Sequence, residues 1–158
     1  MPSTARRSRR TARRRAEKGA FGQAIGRSRG GRTTKIHALT DADGRPRVVL
    51  LTPGNVADIT VAPTLIAAAG LIERLVADKG YDADSLRRLL TAQGTEAVIP
   101  STRSRKRPIP YDAVAYRQRN LIERMFGRLK DFRRIATRDD RRARNVLAAA
   151  CLFATICY

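Results

Sequence analysis

A short apolar run, Arg74-Leu-Val-Ala-Asp78, is followed by Leu86, Leu89 and Leu90 at helical spacing and then by a second short run, Glu96-Ala-Val-Ile-Pro100. Runs of this length read as buried strands, and the leucines as one face of a helix over residues 82–92. Strand, helix, strand in that order is a βαβ unit, which requires a parallel pair bridged by a crossover helix. The chain is therefore expected to be α/β, with Asp78 at the C-terminal end of a strand, where open sheets of this kind bind ligands.

The flanking sequence supplies further elements. Thr33-Thr-Lys-Ile-His-Ala-Leu-Thr40 and Arg47-Val-Val-Leu-Leu-Thr52 surround the turn dipeptide Asp43-Gly44, so a β-hairpin is expected. Asp58 is a suitable cap for a helix through Val61, Leu65 and Ile66 that Gly70 stops. A basic, Pro-containing loop at 101–110 precedes helices expected over roughly 112–132 and 139–158. The 158 residues, 42% hydrophobic, suit one domain with a real core.

Charge is distributed in blocks. The net +19 divides into +10 over residues 1–32, −1 over 33–100 and +10 over 101–158. Basic blocks attract phosphate polyanions and release their condensed counterions, so nucleic acid is the expected partner. Residues 1–19 contain no Val, Ile, Leu or aromatic residue, which disfavours an amphipathic membrane anchor. With no apolar run of spanning length and no secretory leader, a cytoplasmic protein without a membrane partner is expected. Residues 1–32 are read as a basic, disordered arm, and 33–158 as the folded domain.

Cys151 and Cys157 sit in the apolar tail and read as packing residues. With His37 they cannot assemble a zinc site at ordinary ligand spacing, so any metal must be held by carboxylates. His37 itself is assigned no role. Asp41 and Asp43 adjoin Gly44 and read as turn formers.

Two constellations could carry chemistry. Asp78 is placed to hold a hard cation, although an Asp there can equally cap the following helix. In the second, Tyr116, Arg119, Glu123 and Lys130 share one helix stripe, opposite Leu121, Ile122, Met125, Leu129 and Phe132. An ordinary solvated face with an Arg119–Glu123 ion pair would give the same pattern.

The spacing Tyr116-x2-Arg119-x3-Glu123-x6-Lys130 resembles the signature of DDE-type bacterial transposases of insertion-sequence families 4 and 5. Gly26-Arg-Ser-Arg-Gly-Gly31 with Thr34-Lys-Ile-His37, then Ala77-Asp-Lys-Gly-Tyr-Asp82, then Phe132-Arg-Arg-Ile-Ala-Thr-Arg138 are similar to the same group in matching order. The resemblance, over roughly residues 20–158, implies an RNase H-like mixed sheet with flanking helices and further C-terminal helices. It implies that Asp78 and Glu123 are catalytic metal ligands for Mg²⁺ or Mn²⁺ in a two-metal mechanism. It further implies that Tyr116, Arg119 and Lys130 grip phosphates near a transposon end, with Arg27 and Arg29 also contacting DNA.

By the same resemblance, the first acid of the triad belongs on a strand before Gly26, commonly followed by Ser-Thr. No Asp precedes Asp41, and Pro2-Ser3-Thr4 stands at the corresponding place. The first, central strand is thus expected to be missing, leaving two open edges, and the chain to be a truncated or frame-shifted product. The usual N-terminal helical DNA-binding region is likewise not found. The expected function is DNA transposition by metal-dependent cleavage and strand transfer, once the triad is completed by a longer product or a partner chain. Expected partners are transposon-end and target DNA and a full-length transposase or a second copy. The alternatives are a noncatalytic DNA-binding remnant that inhibits a full-length relative, and a basic RNA-binding protein.

Overall fold

The structure is a computed structural model in which residues 23–28, 31–140 and 142–158 are described. Most of the expected basic arm, Pro2-Ser3-Thr4 and Arg29 lie outside the described residues. The architecture is mixed α/β, consistent with an RNase H-like domain.

The first elements among the described residues are strands β1 (Gly26–Ser28), β2 (Gly31–Thr40) and β3 (Pro46–Pro53), antiparallel in the order β1-β2-β3. Strand structure therefore begins before residue 33, inside the segment expected to be an arm. Gly31 supplies a φ of +101° that a side chain would resist, and the Arg138 guanidinium donates to the Ala24 carbonyl at 3.0 Å. In the β2–β3 turn, Asp41 Oδ1 accepts from the backbone N–H groups of Asp43 and Arg45 at 3.0 and 2.9 Å, the turn-forming role expected of it. Gly44 has φ +81°, and a Cβ there would meet Leu121 Cβ at 3.2 Å, so the turn sits directly against a C-terminal helix.

Helix α1 (Asp58–Ala69) buries Val61, Ala62, Leu65 and Ile66. Its N-cap is Ala57, not Asp58, and no side chain caps it. Asp58 instead occupies the first turn, where the helix dipole favours an anion, and reaches Lys35 Nζ at 3.2 Å and His37 Nδ1 at 3.4 Å on β2.

The βαβ unit forms as expected. β4 (Arg74–Val76) and β5 (Glu96–Val98) are parallel with Leu75 opposite Ala97, and α2 (Asp84–Ala92) crosses between them after a 3₁₀ turn at Lys79–Tyr81. Leu86, Leu90 and Ile99 pack with Ala62 and Ile66 of α1 in one core cluster.

The expected helix over 112–132 is divided into α3 (Ala113–Tyr116), a 3₁₀ turn at Arg117–Arg119, and α4 (Asn120–Asp131). The division is a tightening, since Arg117 and Asn120 keep helical dihedrals. Asp112 caps α3 by accepting from Val114 N and Ala115 N at 2.8 and 3.0 Å. The last expected helix forms as α6 (Ala143–Cys157), and a short helix that was not expected, α5 (Arg133–Ala136), precedes it, set off from α4 where the backbone leaves helical geometry at Phe132 with ψ 85°. Met125, Leu129, Ile135 and Phe153 form a second core cluster against Ile36 and Ala38 of β2. Cys157 packs against it, whereas Cys151, expected to be buried, is exposed.

Among the described residues the two sheets share no strand pairing. Between them lies a cleft of about 980 Å³, bounded by β2, β4, α1 and α4. Leu90 is fully buried and Leu71 is 94% exposed. Leu90→Ala is expected to cost about 2–5 kcal/mol in urea unfolding, and Leu71→Ala less than about 0.5 kcal/mol.

Candidate active site

Asp78 leaves β4 in extended conformation, after Ala77 N has extended the parallel pairing by donating to Val98 O at 3.2 Å. Its carboxylate accepts from Gly80 N at 2.8 Å and so caps the 3₁₀ turn. A Cβ on Gly80 would lie 2.9 Å from Asp78 Oδ1, so the Gly in Asp78-Lys-Gly-Tyr81 is what lets the chain close over the carboxylate. The Tyr81 phenol beside it is pushed up to about 12, by burial first and then by the nearby negative charges of Asp58 and Asp78. Tyr81 therefore remains a protonated hydrogen-bond donor at neutral pH.

Glu123 stands in the first turn of α4, with its side chain 58% exposed. Arg119 Nη2 approaches its Oε1 at 2.6 Å, and the Arg119 guanidinium lies 5.7 Å from the Tyr116 ring centre. Tyr116 is in turn held edge-on by Tyr111, with ring centres 5.5 Å apart. An exposed i,i+4 ion pair contributes only about 0.3–0.5 kcal/mol, so Glu123 can exchange Arg119 for another partner at small cost. The opposite side of the helix buries Met125 and Leu129, which fixes the direction in which Glu123 projects.

Asp78, Arg119 and Glu123 all line the cleft between the sheets, together with Asp41, Arg47 and Tyr81. Residues 45 positions apart in sequence are thus brought to one cavity by a strand end and a helix face. Tyr116 acts on the cleft only through Arg119, and Lys130, exposed on α4, and Arg27, exposed on β1, do not line it. Arg29 lies outside the described residues. Tyr81 stood in the Ala77–Asp82 motif without a role of its own, and Arg47 was read only as part of a strand, because a strand Arg carries no spacing signal. His37 is buried, its Nε2 2.7 Å from Thr52 Oγ1, and it joins β2, β3 and α1 instead of facing the cleft.

The Transposase DDE domain family matches residues 4–158. The chain belongs to this family. It is 36% identical over 107 residues to a protein described as the transposase for insertion sequence element IS6501 of Brucella ovis, covering 67% of this chain and 82% of that protein. It is also 36% identical over 121 residues to one so described for insertion sequence element IS402 of Burkholderia cepacia, covering 70% of this chain and 55% of that protein. No solved structure matches it.

DDE transposases depend on divalent metal, and the donor chemistry here fits in part. Asp78 and Glu123 offer hard carboxylate oxygens to one cleft, while no group of three His, Cys, Asp or Glu side chains able to hold a metal ion occurs among the described residues. Among these residues, too, no helix is long and apolar enough to cross a membrane.

Burial, the largest influence on His37, lowers its pKa below 6.5, against the opposing charge of Asp58. A folded pKa below the unfolded one favours the neutral ring, so this contribution is complete above about 6.5 and declines as pH falls through that value. Thermal unfolding followed from pH 8 to 5 is expected to show this loss, and His37→Gln to flatten it.

Proposed function

We propose that this chain is the part of a DNA-transposing nuclease that holds the metal through Asp78 and Glu123 and grips phosphates through Arg119, Tyr116 and Lys130. The observation that carries the reading is the convergence of Asp78, Glu123 and Arg119 on one cleft from separate elements. A divalent cation bound there supplies activation of an attacking hydroxyl and stabilisation of the leaving oxygen of a phosphodiester. Arg119, freed from Glu123, would bind a phosphate oxygen, with the Tyr116 ring keeping the guanidinium over its face. Lys130 and Arg27 would add backbone contacts outside the cleft, and Arg29 is assigned the same role from sequence alone.

The same reading assigns the remaining carboxylate to an extended segment that fills the cleft as a central strand. Among the described residues, β2 pairs along Thr34–Thr40 with β3 alone and β4 pairs only with β5, so each has an edge toward the cleft that none of these residues covers. Helices α1 and α4 would cover its two faces, and main-chain bonds to both edges would hold it. A longer product or a partner chain would deliver the segment.

Binding of Mn²⁺, followed by its paramagnetic resonance, is expected to weaken in both Asp78→Ala and Glu123→Ala. Nicking of supercoiled DNA in Mg²⁺ or Mn²⁺, where it occurs, should be lost in both. Unchanged Mn²⁺ affinity in either variant would overturn the ligand assignment. DNA affinity that does not fall with salt would overturn the nucleic-acid reading.

A further inference from the structure

The Asp82 side chain is 0% exposed, yet it is a carboxylate. Arg87 Nε donates to it at 2.8 Å, Arg105 Nε at 2.9 Å, Thr102 N at 2.8 Å and Thr102 Oγ1 at 3.3 Å. Burial alone would raise its pKa, but the bonds from Arg105, the Thr102 backbone and Arg87 outweigh it and hold the group well below the usual carboxylate range. Both arginines are satisfied a second time, Arg87 by the Ile99 carbonyl at 2.8 Å and Arg105 by Asp84 at 2.7 Å.

These bonds hold the basic loop that follows β5. Ile109 N donates to Ser101 Oγ at 2.8 Å and closes the loop's base, while Arg105 N donates to the Thr102 carbonyl at 3.1 Å and forms its turn. The loop has little apolar content with which to order itself, since only Pro108 and Ile109 interrupt its polar run before Pro110. The sequence shows four cations between 103 and 107, and the latch sorts them: Arg105 turns inward, while Arg103, Lys106 and Arg107 are exposed and make no ion pair among the described residues.

A rigid loop that keeps three like charges outward and unpaired works against its own repulsion. A polyanion relieves that repulsion, and a preordered loop loses little freedom on binding it. We propose that the Asp82-latched loop, residues 101–110, is a DNA-backbone-binding surface in which Arg103, Lys106 and Arg107 contact phosphates and Asp82 is the positioning residue. This rests on the DNA reading above and assigns that reading a surface separate from the residues lining the cleft, none of which lies in the loop.

The experiment measures affinity of the full chain for a labelled DNA duplex of random sequence as salt is raised. Simultaneous Arg103→Ala, Lys106→Ala and Arg107→Ala should weaken binding at least about tenfold at ~0.1 M salt and flatten the log–log salt slope by about 2 to 3. The control, Arg133→Ala with Arg142→Ala and Arg144→Ala, removes equal charge from exposed positions near the second core cluster and should change the slope less. Asp82→Asn discriminates further, because it makes the chain more positive. Bulk attraction alone would tighten binding, whereas a released loop should weaken it several-fold, with faster amide exchange at Thr102 and Ile109. Equal effects of the two triple variants, or tighter binding by folded Asp82→Asn, would overturn the proposal. So would a loss confined to duplex RNA. If Asp82→Asn fails to fold, the loop triple variant, which leaves the latch intact, decides. Absence of salt-dependent DNA binding in the unsubstituted chain would instead remove the DNA reading itself.

Discussion

Helix α1 joins two sheets that share no hydrogen-bonded pair among the described residues, and the cleft exists because it does so. Its Ala62 and Ile66 belong to the core built with Leu86, Leu90 and Ile99 of the βαβ unit. At its other end, Asp58 receives Lys35 and His37 from the hairpin. Burial of a Leu or Ile side chain contributes about 1.5–3 kcal/mol, far more than the half-exposed Lys35–Asp58 pair. The attachment is therefore mainly apolar toward the βαβ unit, whereas toward the hairpin it includes directed polar bonds that set the angle of approach. Asp78 and β2 face one another across the cleft as a result of this one helix.

Periodicity revealed the elements whose cause is local. The leucines of α2 and the two short apolar runs around it specify a βαβ unit because only one arrangement buries them all. Asp43-Gly44 specifies a turn because Gly44 must take a positive φ. What periodicity could not reveal was the choice among roles open to one residue type. Asp58 looked like a cap because Asp is a good cap, yet the cap position fell on Ala57 and the carboxylate was taken by His37 and Lys35, both far away in sequence. Strand structure at Gly26–Ser28 was hidden for a similar reason: a clamp from Arg138 compensates for the lack of apolar residues near it.

The site was legible to the same extent. Helical spacing put Tyr116, Arg119 and Glu123 on one stripe, and that stripe survived the tightening at Arg117–Arg119 because the backbone stays helical there. Lys130, at the other end of the same stripe, lies beyond the cleft lining, since α4 carries it past the cavity. Spacing along one helix reports direction, not the distance to a strand elsewhere. That Asp78 and Glu123 line a common cavity was accordingly a matter for the fold.

The cluster of Asp82 with Arg87 and Arg105 and the pair of Glu123 with Arg119 differ in exposure, and exposure decides what each can do. Asp82 is enclosed, and any change of partner would leave Arg87 with only the Ile99 carbonyl and Arg105 with only Asp84, in a site that water does not reach freely. It is suited to hold a loop still. Glu123 is 58% exposed and Arg119 only partly covered, so their bond is weak in net terms and open to exchange. In the proposed function, one exchange serves two ligands: when Glu123 turns to a cation, Arg119 is released toward a phosphate, and each event favours the other. A buried pair could not act in this way, and an exposed pair could not fix the loop.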